Sequence, residues 1–127
     1  MKNLFRLLAA LGLSVAASLA FAAGKPFNEA EFKALQQAGK PVVLKVHANW
    51  CPTCKAQDPL VQSQVDHPDN QAITFFVIDF DQEKRVLRDL RITRQSTLVA
   101  FKGGQEVKRS VGDTTAAGIA ALVATVR

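Results

Sequence analysis

The chain has 127 residues, 48% of them hydrophobic, with 16 Lys or Arg against 11 Asp or Glu and a formal net charge of +5. That length supports one core of ordinary size and excludes a two-domain assembly. Basic and acidic residues are mixed along the chain, and no basic stripe carries interleaved aromatics, which excludes a nucleic-acid reader.

Residues 1–22 have the layout of an export signal. Lys2 and Arg6 give a positive start, Leu7 to Leu19 is apolar and uncharged, and Ala20-Phe21-Ala22 fits a small-x-small cleavage site. Cleavage is placed after Ala22, leaving residues 23–127 as a single domain in the periplasm or outside the cell, with no stable membrane insertion after cleavage. The alternative is a retained anchor. The uncharged run from Leu7 to Gly24 reaches the lower edge of spanning length, but its Ala, Ser and Gly content makes it weakly hydrophobic for a span.

The remaining elements follow in order. Asn28 with Glu31 three residues later resembles a capping box, Phe32 and Leu35 give the helix an apolar face, and Gly39 ends it. Pro41 to Val46 reads as a short β-branched strand, and 51 to about 66 as a helix with Leu60, Val61 and Val65 on one side. His67-Pro68-Asp69-Asn70 is expected to be a loop, with His67 at the surface. Ile73 to Phe80 is a nearly continuous apolar run, as in a strand covered on both faces. Gln82 to Leu90 reads as a charged helix. Leu98 to Phe101 and Glu106 to Val111 form a hairpin about Gly103-Gly104. Asp113 or Thr114 is expected to cap a last helix that buries Ile119, Leu122, Val123 and Val126. The order αβαβαββα implies parallel strands first, an antiparallel edge last, and helices over both faces.

The chemistry concentrates in Trp50-Cys51-Pro52-Thr53-Cys54-Lys55, which holds the only two cysteines. The first strand feeds directly into the helix beginning there. Cys51 then lies among unpaired backbone N–H groups at the positive end of the helix dipole, which favours thiolate over thiol. Pro52 suits a first helical turn. Cys54 falls on the same side, one turn in. The expectation is an exposed nucleophile at Cys51 and a more buried resolving thiol at Cys54, with Trp50 as an apolar flank. A structural zinc site normally needs four ligands, and beyond the cysteines only His47 and His67 offer nitrogens. A static bridge is a poor explanation, because so short a loop gains little from closure. No metal and no cofactor is called for.

From about Gly24 to Arg127 the chain resembles a thioredoxin. The resemblance rests on Trp50-Cys51-x-x-Cys54-Lys55, Pro59 five residues after Cys54, Asp81-Gln82 after the central strand, Thr97 to Gly104 across the hairpin, and Gly112 beyond it. It implies a thioredoxin fold: α/β, with a mixed sheet of four to five strands flanked by helices on both faces. It also implies an enzyme exchanging disulfides with protein substrates. Trp50, Pro52, Thr53, Gln95, Ser96 and Thr97 would line the substrate groove, and Lys45, His47, Lys55 and Asp58 are the groups placed to tune the thiols. A reductase direction, a monomer, and a membrane electron donor or acceptor are the expectations. Pro52-Thr53 replaces thioredoxin's Gly-Pro and is similar to the exported reductases of cytochrome c maturation. Two other readings stay open: a metal or cluster binder using the same cysteines, and a redox-inert folding or interaction module.

Three positions depart from the family. Ser96 stands where the family has a cis-proline. A cis bond before a non-proline costs about 2.5–4 kcal/mol, so the bond is expected to be trans, with Ser96 lining the groove and its hydroxyl in reach of a cysteine sulfur. Lys45 aligns with the family's buried acid, whose lysine partner aligns with Val77. Lys45 either stabilises a thiolate by its charge or reaches solvent along its stem. Asp58 and Asp79 are the candidate replacement acids. His47 takes a usually aromatic position, either tuning Cys51 through its charge or simply ending a strand.

Overall fold

The computed structural model describes residues 23–127. The export signal assigned to residues 1–22 lies outside the described residues. Ten elements follow one another: β1 (Lys25–Pro26), α1 (Glu29–Gln37), β2 (Val42–His47), α2 (Pro52–Asp66), a 3-10 turn (Pro68–Asn70), β3 (Thr74–Asp79), α3 (Lys84–Asp89), β4 (Thr97–Lys102), β5 (Gln105–Val111) and α4 (Ala116–Ala124). The five strands form one sheet in the order β1-β3-β2-β4-β5. β3 runs parallel to both β1 and β2, while β4 runs antiparallel to β2 and β5. β2 therefore sits in the middle, and whatever follows its C-terminal end is held by strands on both sides.

The two-residue period of the strands sorts their side chains between two cores. Val43, Phe75, Leu98 and Ala100 face α2 and α4, packing with Val61, Ile119, Leu122, Val123 and Val126. Val42, Leu44, Val46, Phe76, Ile78, Val99 and Phe101 face the other way, against Phe32 of α1 and Leu87 of α3. By the same alternation Lys45 and His47 share the α2 side with Val43. A lysine thus enters a buried layer because of its register.

The structure corrects the expected elements at four places. β1 was not anticipated, since two residues including a proline carry no periodic signal. An edge strand tolerates the missing N–H of Pro26. Residues 68–70 are a turn of 3-10 helix, with His67 Nδ1 accepting from Asp69 N at 3.1 Å. α3 starts later than Gln82 because Asp79 Oδ1 accepts the N–H groups of Asp81 and Gln82 at 2.9 and 3.0 Å, holding both in the preceding turn. The cap of α4 is Thr115, whose hydroxyl accepts from Gly118 N at 3.1 Å. Asp113 supports that cap by accepting from Thr115 N and its hydroxyl at 2.8 and 2.7 Å. At the other end the Asn28–Glu31 expectation stands, with Asn28 Oδ1 accepting from Glu31 N at 2.9 Å.

Candidate functional site

α2 begins at Pro52, and Cys51 is its N-cap residue. The sulfur takes the place a serine or aspartate oxygen usually fills, accepting the N–H of Cys54 at 3.1 Å. Pro52 at the first helical position gives up a donor that would have been unpaired anyway. Farther along, Pro59 lies inside α2 and removes the hydrogen bond that residue 59 would otherwise make to the carbonyl of Lys55.

Ser96 closes the site from the other side, on the short connection before β4. Its hydroxyl oxygen stands 3.2 Å from Cys51 Sγ and 3.0 Å from Cys54 Sγ, touching both sulfurs. Its peptide bond is trans, and its φ is +61°. That unusual conformation is held by main-chain bonds on both sides. Ser96 N donates to Val46 O at 2.9 Å, and Ser96 O accepts from Gly112 N at 3.0 Å. Gly112 has φ +73°, which glycine adopts without strain. A third bond comes from Gln57, whose Nε2 donates to Ser96 O at 3.1 Å and to Asp113 O at 2.8 Å.

Burial is deeper than expected. Cys51 is 1% exposed and Cys54 0%, so Cys51 is not the open nucleophile that its position at a helix start suggested. Ser96, at 3%, lies beneath the sulfurs and is not a groove-lining residue. Thr97 is buried too, with its hydroxyl donated to Arg94 O at 2.7 Å. Pro52 and Lys55 are exposed, and Thr53 and Gln95 partly so. Trp50 is 57% exposed, packs edge-on against Phe80 and donates Nε1–H to Asp81 Oδ2 at 2.8 Å.

The two thiols are pushed apart. Burial alone raises Cys51, but hydrogen bonding with the Cys54 thiol, the Ser96 hydroxyl and the N–H groups of Cys54 and Thr53 outweighs it, and the thiol lies below its ordinary value. Burial and then the adjacent Cys51 hold Cys54 above it. One thiol is readied to carry charge and the other to keep its proton.

A second polar cluster lies beside the first. Lys45 is 1% exposed and its Nζ pairs with Asp58 Oδ1 of α2 at 2.8 Å, so it does not reach solvent along its stem. His47 Nδ1 is 3.4 Å from Lys45 Nζ and 3.9 Å from Asp58 Oδ1, with Nε2 3.3 Å from Asn49 Oδ1. His47 and Asp58 border a cavity of about 340 Å³ with Pro26, Asn49, Val77, Asp79 and Glu83. Asp58 compensates the lysine charge, and Asp79 is engaged in the turn before α3. Neither is a hydrogen-bond partner of a sulfur. Gln57 and Asp81 are the site residues that sequence reasoning missed. Gln57 lies three residues after Cys54 on the same helical face, which is the signal that points to it.

A buried dithiol at the N-terminus of a helix, at the end of the central strand of this mixed sheet, defines a thiol–disulfide exchanger of the thioredoxin type. The chain belongs to the thioredoxin family, whose pattern, described as Thioredoxin, matches residues 24–125. It is 33% identical over 90 residues to Thioredoxin Asp f 29 of Aspergillus fumigatus, covering 71% of this chain and 82% of that one. It is 30% identical over 82 residues to the thioredoxin of Malassezia sympodialis, covering 65% and 78%. Among solved structures, Trxlp from Edwardsiella tarda superposes with a TM-score of 0.72 at 35% identity, covering 80% of this chain and 96% of that one. The chain is accordingly a thiol–disulfide oxidoreductase that acts on protein disulfides.

Proposed function

We propose that this oxidoreductase is an extracytoplasmic reductase of protein disulfides, working as a monomer, with Cys51 as nucleophile and Cys54 as resolving thiol. The observation that carries the reading is the asymmetry of the pair. Cys51 Sγ accepts a backbone N–H and contacts a hydroxyl, which draws its thiol down despite burial, while Cys54 is held up. The Cys51 thiolate attacks one sulfur of the substrate disulfide and displaces the other. Cys54 then attacks Cys51 Sγ, the substrate leaves fully reduced, and the pair ends as a disulfide. Trp50, Pro52, Thr53 and Gln95 are the exposed or partly exposed side chains around the sulfurs that a substrate meets. In an oxidising compartment the pair needs a membrane electron donor to be reset.

The leader-like pattern of residues 1–22 supports the location, and burial of both sulfurs speaks against a metal shared between two chains. The test is a redox titration in graded glutathione buffers with Cys54→Ser trapping in cells. A potential nearer about −270 mV than about −120 mV supports the reductase direction. Absence of any interconversion between dithiol and disulfide sinks the reading. Cell fractionation, with a mature chain starting at Ala23, checks the compartment.

A further inference from the structure

The Ser96 hydroxyl depends on the two sulfurs for all its hydrogen bonding. Ser96 is 3% exposed, and among the described residues the partners of its Oγ are Cys51 Sγ at 3.2 Å and Cys54 Sγ at 3.0 Å. Both cysteines are free thiols in this structure. The Cys54 thiol has two acceptors, Ser96 Oγ at 3.0 Å and Val46 O at 3.7 Å, and the hydroxyl is the nearer. Cys51 Sγ already accepts the N–H of Cys54 at 3.1 Å, which marks it as the accepting end. A hydroxyl has one hydrogen to give and lone pairs to receive with. The arrangement that satisfies all three groups runs from Cys54 S–H to Ser96 Oγ, and from Ser96 O–H to Cys51 Sγ.

Oxidation takes that arrangement apart. When the pair closes, the Cys54 hydrogen leaves, and with it the donor that Ser96 Oγ receives. The two sulfurs become neutral and bonded to each other, and such sulfur is a weak acceptor. The hydroxyl keeps only these weak acceptors and is in effect unpaired. A buried hydroxyl left unpaired costs its full desolvation penalty, which exceeds the net worth of an ordinary hydrogen bond.

We propose that Ser96 sets the redox poise of the cysteine pair, its hydroxyl stabilising the dithiol over the disulfide and making the pair more oxidising than the same fold without it. The inference rests on Cys51 and Cys54 exchanging between the two states, and not on the direction of turnover or the compartment. The equilibrium it biases joins the dithiol and glutathione disulfide to the protein disulfide and two glutathione thiols. Two electrons pass from the cysteine pair to glutathione disulfide, and the two protons of the pair end on the two glutathione thiols. Ser96 keeps its own hydrogen throughout, so no proton is routed through it.

The fold holds the hydroxyl where it can act this way. Ser96 N donates to Val46 O at 2.9 Å, and Ser96 O accepts from Gly112 N at 3.0 Å and from Gln57 Nε2 at 3.1 Å. These three bonds keep a φ of +61°, which serine seldom adopts. They tie the main chain of Ser96 to β2, to α2 and to the residue after β5, so the backbone does not carry the hydroxyl out to water when the sulfurs join.

The experiment equilibrates the parent, Ser96→Ala and Ser96→Gly with graded mixtures of reduced and oxidised glutathione, starting from each redox form in turn. Samples are precipitated with acid and alkylated in denaturant, so buried thiols are counted as fully as exposed ones. Ser96→Ala removes the hydroxyl and keeps Cβ, while Ser96→Gly removes it and suits the positive φ. Both variants are expected to shift the equilibrium about tenfold towards the disulfide, which is about 30 mV more reducing for a two-electron couple. Denaturant unfolding of each redox form supplies a second readout. The unfolding constant of each variant, relative to the parent, should rise about tenfold more in the dithiol form than in the disulfide form. The same shift in both variants assigns the effect to the hydroxyl, since alanine and glycine differ in backbone strain. A parent-like potential in both overturns the proposal, and so does an equal loss of stability in the two redox forms. A shift in only one variant also overturns it, as an effect of the backbone. If the parent itself never interconverts, the exchange reading of Cys51 and Cys54 falls and the proposal with it.

Discussion

Two buried polar clusters lie side by side at the C-terminal end of β2, and they solve the cost of burial in opposite ways. The sulfur cluster is made of small groups that need not be charged. Cys51, Cys54 and Ser96 satisfy one another and are shut off from solvent. The neighbouring cluster buries a lysine, which requires a counter-charge. Asp58 supplies it at 2.8 Å and is itself 23% exposed, beside the cavity that His47 also borders. A site whose charge must come and go with each turnover is built from groups stable in either protonation state. The buried lysine is instead given a counter-charge, and it is the partner Asp58 that is left partly at the rim, because an unpaired buried ion is the costlier error.

The largest effect should come from breaking the first cluster at its reacting atom. Cys51→Ser is expected to abolish disulfide exchange, whereas Cys54→Ser should retain the attack and stall as a mixed disulfide, visible on non-reducing gels. Equal residual turnover in both variants would erase the division of labour between the thiols.

The second cluster should answer in stability. Asp58→Asn strands the Lys45 ammonium and is expected to cost about 2–3 kcal/mol, below the usual range for breaking a buried pair because Asp58 is partly solvated. Lys45→Met removes the charge, keeps the volume, and should cost less than about 1.5 kcal/mol. Denaturant midpoints for the two variants and their combination check this. The combination is expected to recover most of the Asp58→Asn loss, and additive losses would mean that the pair is not coupled.

A smaller effect distinguishes the clusters by pH. The Cys51 thiol titrates below its ordinary value of 9.0 in the native dithiol form. Between that lowered value and 9.0 the unfolded chain binds more protons, so stability of the dithiol form should rise with pH. Cys54 titrates above 9.0 in the native state, so the slope should reverse there and stability should fall. Cys51→Ala should remove the rise and leave the fall. Alkylation of Cys51 by iodoacetamide should follow the same lowered titration.

The smallest effect is expected at Trp50. Trp50→Phe keeps an aromatic ring against Phe80 and loses the bond to Asp81, costing at most about 1 kcal/mol. A larger loss would move Trp50 from the rim of the sulfur cluster into its framework.

Much of this was legible in the residues. The strand at 42–47, the helix after Cys51 and the closing hairpin announce themselves through β-branched runs, a proline at a helix start and paired glycines, all of which are local signals. The contact of Ser96 with sulfur was within reach as well, since the resemblance sets that residue beside the pair. Local pattern failed where a neighbour decided the outcome. Asp79 delayed α3 by holding the two residues before it, and β1 exists because β3 offers it an edge.

By itself the sequence determined the cysteine spacing, the order of the four helices and of strands β2 to β5, and the chemistry to be expected of two thiols at a helix start. The tertiary structure alone decided that Cys51 is closed from solvent, that Lys45 is neutralised by Asp58, and that one hydroxyl reaches both sulfurs. The reason is one of range. Spacing along a strand or helix fixes which face a side chain takes, but what lies against that face comes from residues tens of positions away, and only folding brings Ser96, Gln57 and Gly112 to the same few ångströms.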